Sequence, residues 1–286
     1  MKKTNENRIK RRRKWTAIVC AALVFIVAVF GVLQLGCVYT EKTWEHWYPM
    51  YEKINLETIL EKDVISKEEY ELLYRQTGLT KIAVDDMRES VEGRERILKI
   101  QEGFFANYTI TSKLFSIFTY IEEIDGVMRF AHLKEGDIIV SSTTRVSWWR
   151  YGHAAIVVDG ETGTIAEAIS PGTKSKINSI TTFNDLANFI ILRPKVDEGL
   201  KKEIVHYVNE EMLGVPYRLT TGILSKKYQE ELRASQCAHF VWYAYKKFGI
   251  ELDSTGGRVV KPQDIALSDK VEVVQVFGFD LDKLWS

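Results

Sequence analysis

The feature that most constrains this chain is an uninterrupted apolar stretch close to its N-terminus. From Trp15 to Leu35 no residue is charged, and Gln34 is the only strongly polar side chain. In a helix that rises 1.5 Å per residue, a stretch of this length spans about 30 Å, the thickness of the hydrocarbon core of a bilayer. The sequence therefore predicts a transmembrane anchor, which we place at residues 15–36.

The charges that flank this stretch predict its orientation. Residues 1–14 carry eight lysines or arginines and one acid, whereas the chain from residue 38 onward carries 31 basic and 38 acidic residues. Because a basic flank stays in the cytoplasm, we expect a single-pass protein of the cell membrane. Its tail at 1–14 would be cytoplasmic and its C-terminal part extracellular. The stretch is longer than that of a signal peptide and lacks a small-residue cleavage site, which favours an uncleaved anchor. Lipidation at Cys37 is the alternative.

The composition beyond the anchor limits the chemistry that the chain can perform. Nucleic-acid binding needs clustered positive charge, and the acidic balance of this part argues against it. Of three cysteines, Cys20 lies within the anchor and Cys37 at its end, so Cys237 has no disulfide partner in the extracellular part. It is either a buried inert thiol or a working one. We expect no metal and no cofactor.

Residues 37–130 are predicted to form a helical spacer or scaffold. Ser66 and Glu69 make a capping box, in which each side chain satisfies a free N–H group at the start of a helix. Charged and apolar residues alternate in a way typical of amphipathic helices that pack on a neighbouring domain. Further helices are predicted around 80–90, 94–106 and 114–124.

Residues 131–286 show a different pattern. Short apolar runs separated by turn residues predict strands, and two longer periodic segments predict helices near 198–212 and 236–248. Strands that precede helices, with a last strand after them, predict an α+β domain with an antiparallel sheet. The predicted strands lie near 137–140, 153–158, 164–169, 189–192 and 271–277.

Two of these strands form a predicted hairpin that brings an imidazole to a carboxylate. With the turn near Asp159-Gly160, the numbers of paired residues sum to about 320–322. An even sum places His153 and Glu167 on the same face of the sheet, where the carboxylate can fix the imidazole tautomer and stabilise an imidazolium. A slip of one residue would separate the two side chains.

The last predicted helix holds Cys237 in its first turn. Ser235 is a suitable N-cap, and the N–H groups and dipole at this helix end stabilise a thiolate. The Cys237 N–H is also placed to help bind an oxyanion. His239 lies about 200° around the helix, so we expect it to be structural. Each of these residues alone is more often structural, but their combination indicates a catalytic set of Cys237, His153 and Glu167.

These motifs resemble a known family. The order of Gly136–Ile139, Gly152–Val157, Glu167-Ala168 and Cys237–Val241 is similar to that of the permuted papain-like amidases of the YaeF/YiiX type, distant relatives of NlpC-type cell-wall hydrolases. The unpermuted order is excluded because no histidine follows His239. The resemblance covers about residues 131–286. It implies a permuted papain-like fold in which Cys237 attacks a carbonyl, His153 acts as base and then acid, and Glu167 orients His153.

The cysteine motif also resembles that of the lecithin–retinol acyltransferase-like proteins. Those proteins generally have an asparagine before the cysteine and a histidine as the third residue of the triad. This chain has Gln236 and Glu167 at these positions, which favours the amidase branch.

Aromatic residues near the predicted triad suggest where a substrate binds. Gly214–Tyr217 resembles a run that precedes the cysteine helix in NlpC-type enzymes, whose tyrosine lines the substrate cleft. Trp148, Trp149 and Tyr151 precede His153 and form either an apolar wall or lid, or an ordinary part of the core.

The sequence therefore predicts a membrane-anchored extracytoplasmic cysteine hydrolase. The first hypothesis is an amidase or endopeptidase that acts on cell-envelope peptides such as peptidoglycan stems. The second is a hydrolase or acyltransferase that acts on lipids or acyl esters with the same triad. The third is a module that only binds, in which Cys237 is buried and inert.

Overall fold

The computed structural model describes residues 2–43, 46–116 and 119–285. Within these ranges the chain is α+β, as predicted, with one long N-terminal helix and two antiparallel sheets. The helices are α1 (Lys2–Thr43), α2 (Glu57–Leu60), α3 (Lys67–Thr77), α4 (Lys81–Arg88), α5 (Val91–Phe104), α6 (Glu198–Glu211), α7 (Cys237–Lys246) and α8 (Pro262–Ala266). The strands are β1 (Ile110–Ser116), β2 (Thr119–Ile124), β3 (Ile138–Ser141), β4 (Thr144–Val146), β5 (Trp149–Arg150), β6 (His153–Asp159), β7 (Thr164–Glu167), β8 (Lys176–Ser179), β9 (Phe189–Pro194) and β10 (Val271–Phe277).

Helix α1 contains the whole apolar stretch. Its part from Arg11 to Glu41 is long and apolar enough to cross a membrane, and none of its most apolar window is buried by the rest of the protein. The helix extends beyond residue 36 because Cys37 and Thr40 are buried against the domain that follows. Packing of this kind stabilises a helix end more than local propensity does.

Helices α3 to α5 confirm the helix predictions around 66–77, 80–90 and 94–106. Ser66 Oγ accepts a hydrogen bond from the Glu69 N–H at 3.2 Å, and the Glu69 carboxylate accepts one from the Ser66 N–H at 2.9 Å. The helices pack directly on the sheet, since the Thr80 N–H donates to the Val274 carbonyl at 3.0 Å. Apolar residues of α3 to α5 belong to the same buried core as the strands of the C-terminal part.

The helix predicted at 114–124 is wrong, and residues 37–130 are therefore not wholly helical. Strands β1 and β2 occupy this segment as an antiparallel pair, in which Ile110 lies opposite Ile124. Strand β2 also pairs with β4, where Thr119 lies opposite Val146. Threonine, isoleucine and tyrosine favour strands, and pairing with a distant segment decides the conformation of such residues. The four-stranded sheet has the order β1-β2-β4-β5.

The second sheet has six strands in the order β10-β9-β3-β6-β7-β8. Five of them confirm the predicted strands, and the predicted helices near 198–212 and 236–248 are α6 and α7. Helix α7 packs on β6 and β7, the two strands that carry the candidate catalytic residues. The sequence did not predict β4, β5 and β8, which have two to four residues each.

The Gly136-Asp137 motif has a structural role. The Asp137 carboxylate is fully buried and accepts two hydrogen bonds from the Arg193 guanidinium, each at 2.9 Å. It also accepts one from the Lys134 N–H at 2.8 Å. Because Arg193 also binds Asp86 of α4, this motif ties β3, β9 and the helical region together.

Candidate active site

The register of the β6–β7 hairpin sets the geometry of the site. Ile156 lies opposite Ala166 and Val157 opposite Ile165, so the numbers of paired residues sum to 322. A bulge shifts the register between Val157 and Asp159, next to the turn. The even sum is one of the predicted registers, and it leaves residues 153 and 167 on the same face of the sheet.

His153 and Glu167 form a direct hydrogen bond. The Nε2 atom of His153 lies 2.6 Å from Oε2 of Glu167, whose side chain is only 3% exposed. The other carboxylate oxygen, Oε1, accepts a hydrogen bond from Asn178 Nδ2 at 2.7 Å. The imidazole also stacks on Phe183, with ring centroids 5.5 Å apart. Both the carboxylate and the ring are thus held in one orientation.

The sequence did not reveal Asn178 and Phe183 as members of the site. Asn178 lies on β8, which is too short to be recognised by alternation, and Phe183 lies in the 3₁₀ turn that follows it. Both come into contact with the hairpin only because β8 pairs with β7, where Lys176 lies opposite Glu167.

Gly152 allows the start of β6, at His153, to lie close against β3. Its φ angle is +70°, in the left-handed region, and a Cβ atom there would lie 2.2 Å from the Ser141 carbonyl oxygen. Any other residue would therefore push β6 away from β3, with which His153 pairs opposite Ser141.

We expect Gly152→Ala to lower the free energy of unfolding and to displace His153. Gly249→Ala is the matched control, because Gly249 also has a positive φ but no atom within 4 Å of the position of its Cβ. The control should lose about 1 kcal/mol from backbone strain alone, and Gly152→Ala about 2 kcal/mol more from the added clash. Denaturant titration of both variants measures the difference. Equal losses would show that the close approach to Ser141 has no effect.

Cys237 is the first residue of α7, as predicted, but the N-cap is Gln236 and the prediction of Ser235 is wrong. The Gln236 side-chain oxygen accepts hydrogen bonds from the Ala238 N–H at 2.9 Å and from the Cys237 thiol at 3.4 Å. Ser235 cannot cap the helix because its buried hydroxyl lies 2.8 Å from Nδ1 of His239. The thiol is thus held at the helix N-terminus, with 3% of the residue exposed.

The electrostatics of His153 show that it interacts with both other members of the triad. Burial by itself would lower the pKa of His153, but hydrogen bonding and charge from Cys237 and Glu167 outweigh it and raise this pKa to about 10. Burial would raise the pKa of Glu167, but the bond to His153 lowers it. Since Nε2 is occupied by Glu167, Nδ1 is the ring nitrogen that remains for the thiol.

His239 has the structural role that its position on the helix predicts. Its Nε2 lies 2.7 Å from the Lys227 carbonyl oxygen, and its Nδ1 contacts the Ser235 hydroxyl. Burial lowers its pKa to about 4. Both nitrogens are therefore occupied on the side of the helix away from the thiol.

A cavity of about 410 Å³ opens onto the triad. Tyr217, Trp149 and Tyr151 line it, as the sequence suggested, whereas Trp148 lies outside it, next to Gly36 of α1. Burial, together with negative charge at Cys237, raises the pKa of Tyr217, so its phenol stays protonated. Most of the remaining wall is apolar, and it includes Phe115, Ile121, Val146, Ile169, Pro171 and Leu219.

Among the residues that the structure describes, no group of three or more histidine, cysteine or acidic side chains could hold a metal ion. Comparisons of the chain with protein-family models, with curated proteins and with solved structures find no match. The groups that bear on function lie together at this cavity: a thiol at a helix N-terminus, an imidazole and a buried carboxylate.

Proposed function

We propose that the protein is a membrane-anchored cysteine hydrolase, in which residues 131–286 form a permuted papain-like domain outside the cell. The observation that carries this proposal is the shared placement of Cys237, His153 and Glu167 at one cavity, with the imidazole bonded to the carboxylate at 2.6 Å. This set of groups is suited to acyl transfer from an ester or amide to a thiol and then to water.

The reaction begins with transfer of the thiol proton from Cys237 to His153. The thiolate sulfur attacks the substrate carbonyl carbon, and the carbonyl electron pair moves to the oxygen to form an oxyanion. His153 then gives its proton to the leaving alcohol or amine as the bond to the carbonyl carbon breaks, which leaves a thioester on Cys237. Water, deprotonated by His153, hydrolyses the thioester and restores the thiol.

The start of α7 supports the charged intermediates. As the first residue of the helix, Cys237 has an N–H group without a partner inside the helix. This N–H and the helix dipole both favour negative charge, first on the sulfur and then on the oxyanion. Glu167 stabilises the imidazolium that exists at the same stages.

The basic tail and the uncharged stretch of α1 support an anchor with its N-terminus in the cytoplasm. Envelope peptides and acylated lipids are both accessible on the outer side and both have the required carbonyl group.

Trapping of the acyl-enzyme tests the proposal. The full chain in detergent is incubated with p-nitrophenyl acetate, quenched in acid, digested and mapped by mass spectrometry. We expect an acetyl group on the peptide that contains Cys237, and none there in Cys237→Ala. Cys20→Ala, which removes a thiol of the apolar stretch, is the matched control and should be acetylated at Cys237 like the wild type. Acetylation of the two other cysteines at the same rate as Cys237 would contradict the proposal.

The pH dependence of the reaction should depend on Glu167. The reactive form is the pair of Cys237 thiolate and His153 imidazolium that transfer of the thiol proton creates, so we expect the alkaline limb of kcat/KM near pH 10, where His153 loses its proton. Cys237 and Glu167 both raise this pKa, and Glu167→Gln removes the charge of the second, so the limb should move down by about one unit or more. Rate profiles from pH 5 to 11 measure the shift. A limb that does not move would show that Glu167 does not set the imidazolium pKa.

The same pair should affect stability with a definite sign. The pKa of His153 is raised above its ordinary value of 6.5, so its contribution to the free energy of unfolding is complete below that pH and is lost as the pH rises through about 10. The pKa of Glu167 is lowered from 4.5, so its contribution is present above that pH and is lost as the pH falls through the lowered pKa.

A further inference from the structure

The end of α1 is seated on the four-stranded sheet. The Tyr120 hydroxyl donates to Oε1 of Gln34 at 3.0 Å, and the Thr40 hydroxyl lies 3.5 Å from the Ser147 carbonyl oxygen. A Cβ atom at Gly36 would lie 1.9 Å from Oγ of Ser147. A larger residue at position 36 would have to displace the side chains of Ser147 and Trp148, so the glycine allows the helix end to approach the sheet closely.

The same sheet forms one wall of the catalytic cavity. Thr119 and Ile121 of β2, Val146 of β4 and Trp149 of β5 all line it. Gln34 is the polar residue near the outer end of the apolar stretch, so it lies near the membrane surface when α1 spans the bilayer. The sheet, which Gln34 contacts through Tyr120, therefore lies at this surface. Cys237 therefore works beside the bilayer, because the last turns of α1 contact this sheet directly.

The mouth of the cavity exposes large apolar side chains. Phe115 is 47% exposed, Trp149 53% and Leu219 48%. A cluster of this kind is unfavourable in water but suits contact with lipid, and tryptophan in particular favours the membrane interface.

The polar residues of the cavity are poorly suited to a charged peptide. Among the described lining residues there is no lysine or arginine, and the ionisable groups outside the triad, apart from tyrosines, are Glu123 and Asp185. A stem peptide carries carboxylates that need cationic partners. An alkyl chain needs none, and it gains from burial against the apolar wall.

From these observations, and resting on the proposed hydrolase activity, we propose that the cavity receives the acyl chain of a lipid from the bilayer that anchors α1. The Cys237 sulfur attacks the carbonyl carbon of the lipid, and the headgroup part leaves with a proton from His153. The acyl chain then stays in the cavity as a thioester on Cys237. Water then releases the fatty acid and regenerates the thiol.

A series of esters that differ only in chain length tests the substrate class. The full chain in phosphatidylcholine nanodiscs is given p-nitrophenyl acetate, butyrate, hexanoate and octanoate, and acylation of Cys237 is followed by mass. We expect kcat/KM to rise about fourfold per methylene, the factor that corresponds to about 0.8 kcal/mol of burial. Leu219→Ser should lower the octanoate-to-acetate ratio at least tenfold. Leu224→Ser should retain it, because Leu224 is 80% exposed and does not line the cavity.

Helix variants test delivery from the membrane. Gly36→Leu should separate α1 from Ser147, and we expect at least a tenfold loss with octanoate carried in the bilayer, while acylation by water-soluble acetate is unchanged. Gly31→Leu is the matched control, since Gly31 lies on the same helix with no atom within 4 Å of its Cβ position. It should keep both rates.

The outcomes separate the inference from the hydrolase activity on which it rests. Acetylation of Cys237 without any rise along the series, or an unchanged octanoate rate in Gly36→Leu, would overturn the lipid substrate and leave the hydrolase standing. If no ester acylates Cys237, acetate included, both the hydrolase and the lipid substrate are overturned.

Discussion

Replacing His153 by glutamine is expected to lower kcat/KM for ester hydrolysis by about 10³-fold, because the thiol then has no base and the leaving group no acid. Glutamine preserves a hydrogen-bond donor toward Glu167, so the hairpin should remain folded. Initial rates with p-nitrophenyl butyrate measure the effect, and thermal unfolding of the same sample establishes that the fold persists.

His206→Gln is the matched control for this substitution. His206 is exposed on α6, outside the cavity, and the same change there should leave the rate within a factor of two or so. A loss of less than about tenfold in His153→Gln, in a protein that remains folded, would contradict the assigned role of the imidazole.

Replacing Glu122 by glutamine is expected to cause the largest loss of stability, about 3–5 kcal/mol. The Glu122 carboxylate accepts from Arg145 Nε at 3.1 Å and from both terminal nitrogens of Arg150 at 2.6 and 2.5 Å. The side chains are 2%, 0% and 8% exposed respectively. Without the negative charge, the buried guanidinium groups of Arg145 and Arg150 face a neutral amide in place of the carboxylate that they both bind.

The adjacent residue supplies the control for this loss. Glu123→Gln removes a carboxylate from the same strand, but its partner Lys113 is 64% exposed, so the change should cost at most about 1 kcal/mol. Denaturant unfolding of both variants in the same detergent measures the difference. Similar losses in the two variants would show that the buried cluster does not hold the four-stranded sheet together.

The buried cluster of Glu122, Arg145 and Arg150 lies close to both the cavity and the end of α1. Arg145 lies on β4, next to Val146, which lines the cavity of the candidate triad. Ser147, the following residue, contacts the end of α1. A loosened cluster should therefore disturb both the apolar wall and the seat of the membrane helix.

Much of the local structure could be predicted because it depends on short-range patterns. The uncharged run, the capping box at Ser66 and the apolar runs and turn residues of the β6–β7 hairpin each depend on neighbouring residues. The pairing of His153 with Glu167 followed from the hairpin, since the turn limits the register to a few values. Cys237 was assigned to a helix start from the sequence, although its cap was not.

The sequence alone thus determined the apolar helix, the α+β class and the placement of His153 and Glu167 on one face of the sheet. Only the tertiary structure decided the conformation of β1 and β2, the hydrogen bond from Asn178 to Glu167, and the apolar wall that includes Phe115 and Leu219. These features come from strands and loops that are distant in the chain, and non-local pairing overrides local propensity. The same holds for α1: its length follows from composition, but its seat on Ser147 exists because a glycine meets a sheet more than a hundred residues away.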